Sequence, residues 1–260
     1  FLGPEGLRSP GARVSWLLPT PFYSELFVAM QNSGSATAYS FRGSNHAHGE
    51  HDGSTIFGRR RIHREVEGID DLLFAPRYAV SFDLTENQTV LLGTSAAFGP
   101  NNTGCDTDTQ IFGLDLFWKW KSPTHHAGFP FVAWQTEVMA RRFEAGSFVA
   151  DENDDGFPEV NLPHEVLWDY GLYSQLTWGF KRGWVLGLRG DWVTGEAGAF
   201  DPDPERETRW RISPSLTLYP TEFSKLRLQY NYDRGDILGV AHSVWLQFEF
   251  MLGSHAAHKF

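Results

Sequence analysis

The chain of 260 residues is poor in several things. It has one cysteine, Cys105, so neither an internal disulfide nor a zinc-ribbon spacing can form. No apolar run approaches the ~20 residues of a membrane-spanning helix, and the mean hydropathy is −0.34. Methionine is scarce (three residues) and Leu/Ala-rich stretches are few, which argues against a helical core. Positive charge is in deficit too: 22 Lys+Arg face 32 Asp+Glu, for a formal net charge of −10, and the basic residues are scattered. A strongly basic nucleic-acid binder is therefore excluded.

Aromatics and glycine are what the chain has in quantity. Aromatics make up 15%, with 21 Phe and 10 Trp, and glycine reaches 26. High aromatic and glycine content with low hydropathy and negative charge fits a β-rich protein that meets lipid only in narrow bands. The first residue is Phe1 rather than Met, which reads as a mature or trimmed segment.

Period-2 alternation recurs in stretches of about ten residues. Val244, Leu246, Phe248, Phe250 and Leu252 share one face while Trp245, Gln247 and Glu249 share the other. Leu226, Leu228, Tyr230 and Tyr232 alternate with Lys225, Arg227, Gln229 and Asn231 in the same way. Eleven strands are predicted, at 12–18, 23–32, 77–85, 89–98, 110–120, 131–143, 168–180, 184–194, 208–219, 225–233 and 242–252. A soluble β-sandwich or lipocalin-like barrel would also alternate, but its aromatic-rich face would line the interior. Here nearly every strand carries large polar or charged groups on the opposite face, which need a wet interior and leave the apolar face to lipid.

The expected fold is all-β: an antiparallel transmembrane up-and-down β-barrel of about 12 strands, 11 of them within this segment, spanning 1–253 as one domain. Connections alternate short and long, the long ones at 33–76, 99–109, 144–167, 195–207 and 234–241. Short periplasmic turns opposite long extracellular loops are the asymmetry of a bacterial (Gram-negative) outer-membrane barrel. That orientation puts the residue 254–260 tail in the periplasm. Bacterial single-chain barrels have even strand numbers, so one further upward strand is expected, from upstream or from elsewhere.

The terminal Phe260, after an alternating aromatic strand, is similar to the ending read by the barrel-assembly machinery. Phe1-Leu2-Gly3-Pro4-Glu5-Gly6-Leu7, the stretch Gly11-Ala12-Arg13-Val14-Ser15-Trp16-Leu17-Leu18-Pro19-Thr20-Pro21-Phe22-Tyr23 and the closing Gly253-Ser254-His255-Ala256-Ala257-His258 together resemble a family of outer-membrane barrels. Its members are often labelled zinc-regulated TonB-dependent outer-membrane receptors. The resemblance implies a porin-like barrel and metal uptake. The chain is too short for 22 strands plus a plug, and no plug domain is evident in this segment.

Strand parity nominates the lumen. Inward basic residues are Arg13, Arg77, Lys119, Arg141, Arg189, Arg209, Arg211, Lys225 and Arg227; inward acids are Glu25, Asp83, Asp115, Glu137, Asp191 and Glu249. Nine cations against six anions make a mildly positive wall, which suits either a narrow solute channel or a salt-bridged, filled interior. Twelve strands lie between filled eight-stranded barrels and open porins.

Two loop motifs are candidate metal sites. His46, His48 and His51, with Glu50 and Asp52, combine imidazoles and carboxylates suited to Zn²⁺ or Cu²⁺. Asp151, Asn153 and Asp155, followed by Gly156, resemble the start of a calcium loop, although Leu162 replaces the glutamate expected at its twelfth position. Solvated His-rich and acidic loops are the plain alternatives. His125 and His126, with His255 and His258 in the tail, form a weaker set.

No G-x-S-x-G occurs, and Ser243 adjoins His242, which points their side chains to opposite faces. No enzyme is expected and no cofactor is required, beyond Zn or Ca in extracellular loops. The resulting expectation is a monomeric outer-membrane barrel for passive passage or capture of small solutes, with metal ions such as zinc among them. The alternatives are a scaffold barrel with a plugged lumen that anchors envelope partner proteins and, more remotely, a barrel hydrolase.

Overall fold

Alternation sets the architecture. The computed structural model describes residues 6–43, 55–62, 64–150, 160–203 and 206–251. In chain order the strands are β1 (Gly11–Leu17), β2 (Tyr23–Asn32), β3 (Thr55–Ile56), β4 (Arg59–Arg60), β5 (Leu72–Thr85), β6 (Gln88–Pro100), β7 (Asp108–His126) and β8 (Phe129–Ala145). They continue with β9 (Phe148–Ala150), β10 (Val160–Leu162), β11 (Glu165–Lys181), β12 (Trp184–Gly195), β13 (Arg209–Thr221), β14 (Ser224–Gly235) and β15 (Gly239–Phe250). A single turn of 3-10 helix, Ile69–Asp71, precedes β5.

The protein is all-β, and eleven strands form one antiparallel sheet in the order β1-β2-β5-β6-β7-β8-β11-β12-β13-β14-β15. Each predicted strand corresponds to one of these eleven. The four short strands form two small hairpins inside the long connections, β3 with β4 and β9 with β10. Eleven antiparallel strands in sequence leave β1 and β15 running parallel to each other, and each pairs on one side only among the described residues.

Three connections differ from expectation. Residues 121–130 read as a short connection, yet the β7–β8 ladder runs to Lys121↔Phe131, shifts register and resumes at His126↔Phe129. The turn itself is Ala127-Gly128, both left-handed (φ 51° and 83°), which matches the twist of a two-residue hairpin. The predicted long loop at 234–241 is instead a tight turn of residues 236–238, because β14 and β15 stay paired to Gly235↔Gly239. The first long connection also ends earlier than predicted, since β5 starts at Leu72.

The two faces differ sharply. One carries exposed apolar side chains across the sheet, among them Val14, Trp16, Val28, Leu114, Val138, Leu172, Leu188, Ile212, Leu228 and Leu246. The other is polar, and among the described residues its hydrophobic clusters form where the first long connection folds onto it at one end. Ala38 and Phe41 pack with Leu73, Ala97 and Ile111, while Ile56 and Phe57 pack with Phe143, Ala145 and Leu167. Burial of these side chains, roughly 1.5–3 kcal/mol for each large one, anchors the connection to β5–β8 and β11.

Candidate functional site

The polar face is the candidate site. All fifteen charged residues nominated by parity lie in strands of the large sheet. The structure brings most of them together as ion pairs. Arg77 Nη2 lies 2.8 Å from Asp115 Oδ2, Arg189 Nη2 lies 2.6 Å from Asp191 Oδ1, and Lys225 Nζ lies 2.7 Å from Glu249 Oε2. Arg13 and Glu25 are 3.8 Å apart, and Arg13 also sits over the Phe27 ring. Arg211 pairs with Asp233, and Arg209 approaches Glu207 at 3.5 Å. The register explains two of these pairs: Arg211 and Asp233, and Lys225 and Glu249, stand directly opposite on neighbouring strands.

The remaining nominees have other partners. Thr89 donates to Asp83 (2.7 Å), Arg227 Nε donates to Thr217 Oγ1 (3.2 Å), and Lys119 lies 5.8 Å from the Phe131 ring centre.

Arg141 belongs to a buried network at the loop end of the face. Its Nε and Nη2 donate to Asp169 Oδ2 (2.8 and 2.6 Å), while Arg206 Nε donates to Asp169 Oδ1 (2.9 Å). One carboxylate thus accepts from two guanidinium groups, and both lie over the Phe57 ring. Arg59, in β4, is fully buried and pairs with Glu165 at 2.7 Å. Nearby, the Asp71 carboxyl is held below the usual carboxylate range. It accepts hydrogen bonds from the backbone N–H groups of Glu67 and Gly68, and from Arg42 at 2.6 Å.

Asp169, Asp233, Arg206, Arg59 and Glu165 were not nominated from the sequence. Asp169 shares the parity of Tyr173, and Asp233 that of Arg227, so alternation carried their signal at the ends of the predicted strands. Arg59 and Arg206 sit in connections, where no period exists.

Two cavities flank this arrangement. At the loop end, about 400 Å³ is lined by residues including Tyr39, Phe57, Arg141, Asp169 and Arg206. At the short-turn end, about 650 Å³ is lined largely by hydroxyl, amide and guanidinium groups of β11–β14. Together they make a hydrogen-bonding surface onto one end of which the first long connection folds.

His46, His48, His51, Asp151, Asn153 and Asp155 lie outside the described residues. Among the described residues no group of three or more His, Cys, Asp or Glu side chains is placed to hold a metal. His125 and His126 end β7, exposed. His242 Nδ1 bonds the Tyr230 hydroxyl (2.6 Å) on the apolar face, whereas Ser243 shares a 3.0 Å hydrogen bond with the Asn231 amide on the polar face. The two therefore form no nucleophile–base pair.

No family model matches the chain. A protein of Aquifex aeolicus (strain VF5), described only as uncharacterized, is 28% identical to it over 280 residues. The alignment covers the whole of this chain and 53% of that protein, so the chain spans about half the length of this relative. No solved structure matches.

Proposed function

We propose that the chain forms the wall of a bacterial outer-membrane β-barrel that passes or captures small polar solutes. The supporting observation is the contrast between the faces. Exposed apolar side chains run from Val14 and Trp16 on β1 to Leu246 and Phe248 on β15, far beyond the few hundred Å² that a soluble monomer tolerates. Lipid suits that face; water suits the ion-paired one. The parallel edges β1 and β15 call for one more antiparallel strand, giving twelve. With the short turns periplasmic, the first long connection narrows the outer mouth. Zinc at His46, His48 and His51, and calcium at Asp151, Asn153 and Asp155, are the candidate loop ligands.

Single-channel recording in planar bilayers, with and without micromolar Zn²⁺, tests this reading. Discrete conductance steps support passage, and block by zinc assigns the loop histidines. A silent bilayer with the protein inserted favours the scaffold barrel, to which the extensive ion pairing and the packed connection also lend themselves.

A further inference from the structure

We propose that the short-turn end of the polar face is a subsite for small free anions bearing a carboxylate or phosphate group. This inference rests on the solute-passage reading and names its substrate class. The cavity of about 650 Å³ there falls in the size range of small-molecule sites.

Its lining includes the hydroxyls of Thr177, Ser213, Ser215 and Thr217, the amides of Gln175 and Gln229, and the guanidinium groups of Arg189 and Arg227. Arg182 and Glu222 add opposite charges at the turns. Arg189 is neutralised by Asp191, whose Oδ1 accepts from both Nε (2.8 Å) and Nη2 (2.6 Å).

Arg227 differs from its neighbours. Its hydrogen bond is to a neutral acceptor, Thr217 Oγ1, and among the described residues no carboxylate forms an ion pair with it. The other cations of β12–β14 on this face, Arg189, Arg209, Arg211 and Lys225, each have such a carboxylate. On β13 the positions facing this cavity are Ser213, Ser215 and Thr217, so hydroxyls stand where acids would otherwise repel an anion. Space is kept as well: a Cβ at Gly187 would come within 2.6 Å of Ser215 Oγ.

Arg227 thus offers a planar fork suited to bidentate capture of carboxylate or phosphate oxygens. The surrounding hydroxyls and amides can hydrogen-bond the rest of the solute.

The test uses the whole protein in bilayers of zwitterionic lipid, which removes anionic headgroups as a source of the ligand. Reversal potential is read in a tenfold KCl gradient for the natural protein, Arg227→Gln and Arg227→Glu, with inorganic phosphate as a blocking probe. The expected result is anion preference in the natural protein, a reduced preference in Arg227→Gln and reversal in Arg227→Glu. Phosphate should block the natural channel, and its half-blocking concentration should rise about tenfold in Arg227→Gln, as for one lost charge-assisted hydrogen bond. Phosphate block of the natural channel is read without any variant, so a folding defect cannot mask the outcome. A conducting channel that phosphate leaves unblocked, with the same selectivity in all three proteins, overturns the anion subsite alone. No conductance from inserted protein overturns the passage reading and the subsite with it.

Discussion

Arg59 Nη2 lies 2.7 Å from Glu165 Oε1 with the arginine side chain wholly shielded from solvent. The same guanidinium donates from Nε to the Gly146 carbonyl (2.6 Å), from Nη1 to that of Phe57 (2.9 Å) and from Nη2 to that of Pro163 (2.7 Å). One side chain thereby joins the β3–β4 hairpin to the ends of β8, β10 and β11. Arg59→Ala leaves these acceptors without their donor and opens a cavity, and the expected loss is about 3–5 kcal/mol. Glu165→Gln keeps an oxygen acceptor and should cost less, about 1–3 kcal/mol. Urea unfolding gives both magnitudes. Limited proteolysis should show new cleavage within 55–62 for Arg59→Ala first, and equal resistance of both variants would refute the stapling role.

Why the sequence announced the sheet but not this staple is a matter of periodicity. A one-residue slip would move every side chain of a strand to the wrong face, so Leu226, Leu228 and Tyr230 against Arg227 and Gln229 fix both strand and register. Fifteen charged lumen candidates follow from that parity. Phe57, Arg59 and Arg206 lie in connections with no repeat, and their positions depend on the tertiary surface they meet. Alternation lapses in one place: 121–130 reads as a connection, although the β7–β8 ladder continues through it with a register shift between Lys121 and His126 that accommodates Pro123.

Acid should release a second fastening. Asp71 accepts from the backbone N–H groups of Glu67 and Gly68, and from Arg42, and these bonds hold its carboxyl below the usual range. Because the folded value is lower than the unfolded value of about 3.9, the contribution is fully present above about pH 4. It is lost as pH falls further, through the folded value. Hydrogen exchange of residues 64–71 should therefore stay slow from neutral pH to about 4 and accelerate below it, after correction for intrinsic rates. Asp71→Asn should abolish that dependence. A transition near pH 6 would assign the fastening to another group.

The β7–β8 turn offers a stabilising change. Ala127 sits at φ 51°, a left-handed conformation costing a residue with a Cβ about 1–2 kcal/mol, and Gly128 follows at φ 83°. Asn-Gly is the favoured pair for such a turn. Ala127→Asn should raise stability by about 0.5–1 kcal/mol, while Gly128→Val should lower it by more than 1 kcal/mol. Paired urea midpoints decide the matter, and a destabilised Ala127→Asn would mean that the turn departs from this geometry.

The apolar face gives the most direct probe of where the sheet resides. Leu114, in the middle of β7, is 61% exposed and is flanked by Thr94 and Val138 on the neighbouring strands. In water, exchanging such a side chain for arginine would be nearly neutral, because no packing is lost and the charge is solvated. Facing hydrocarbon at mid-strand, the same charge costs about 2–4 kcal/mol. Leu114→Arg should therefore lower the unfolding free energy by that amount in lipid vesicles. Glu222→Arg, in the β13–β14 turn, should do so by less than about 1 kcal/mol, since charge at the interface is far cheaper. A depth-dependent penalty of this kind arises only if β7 crosses a bilayer. Equal, small effects at both positions would instead require a protein partner or solvent against the apolar face.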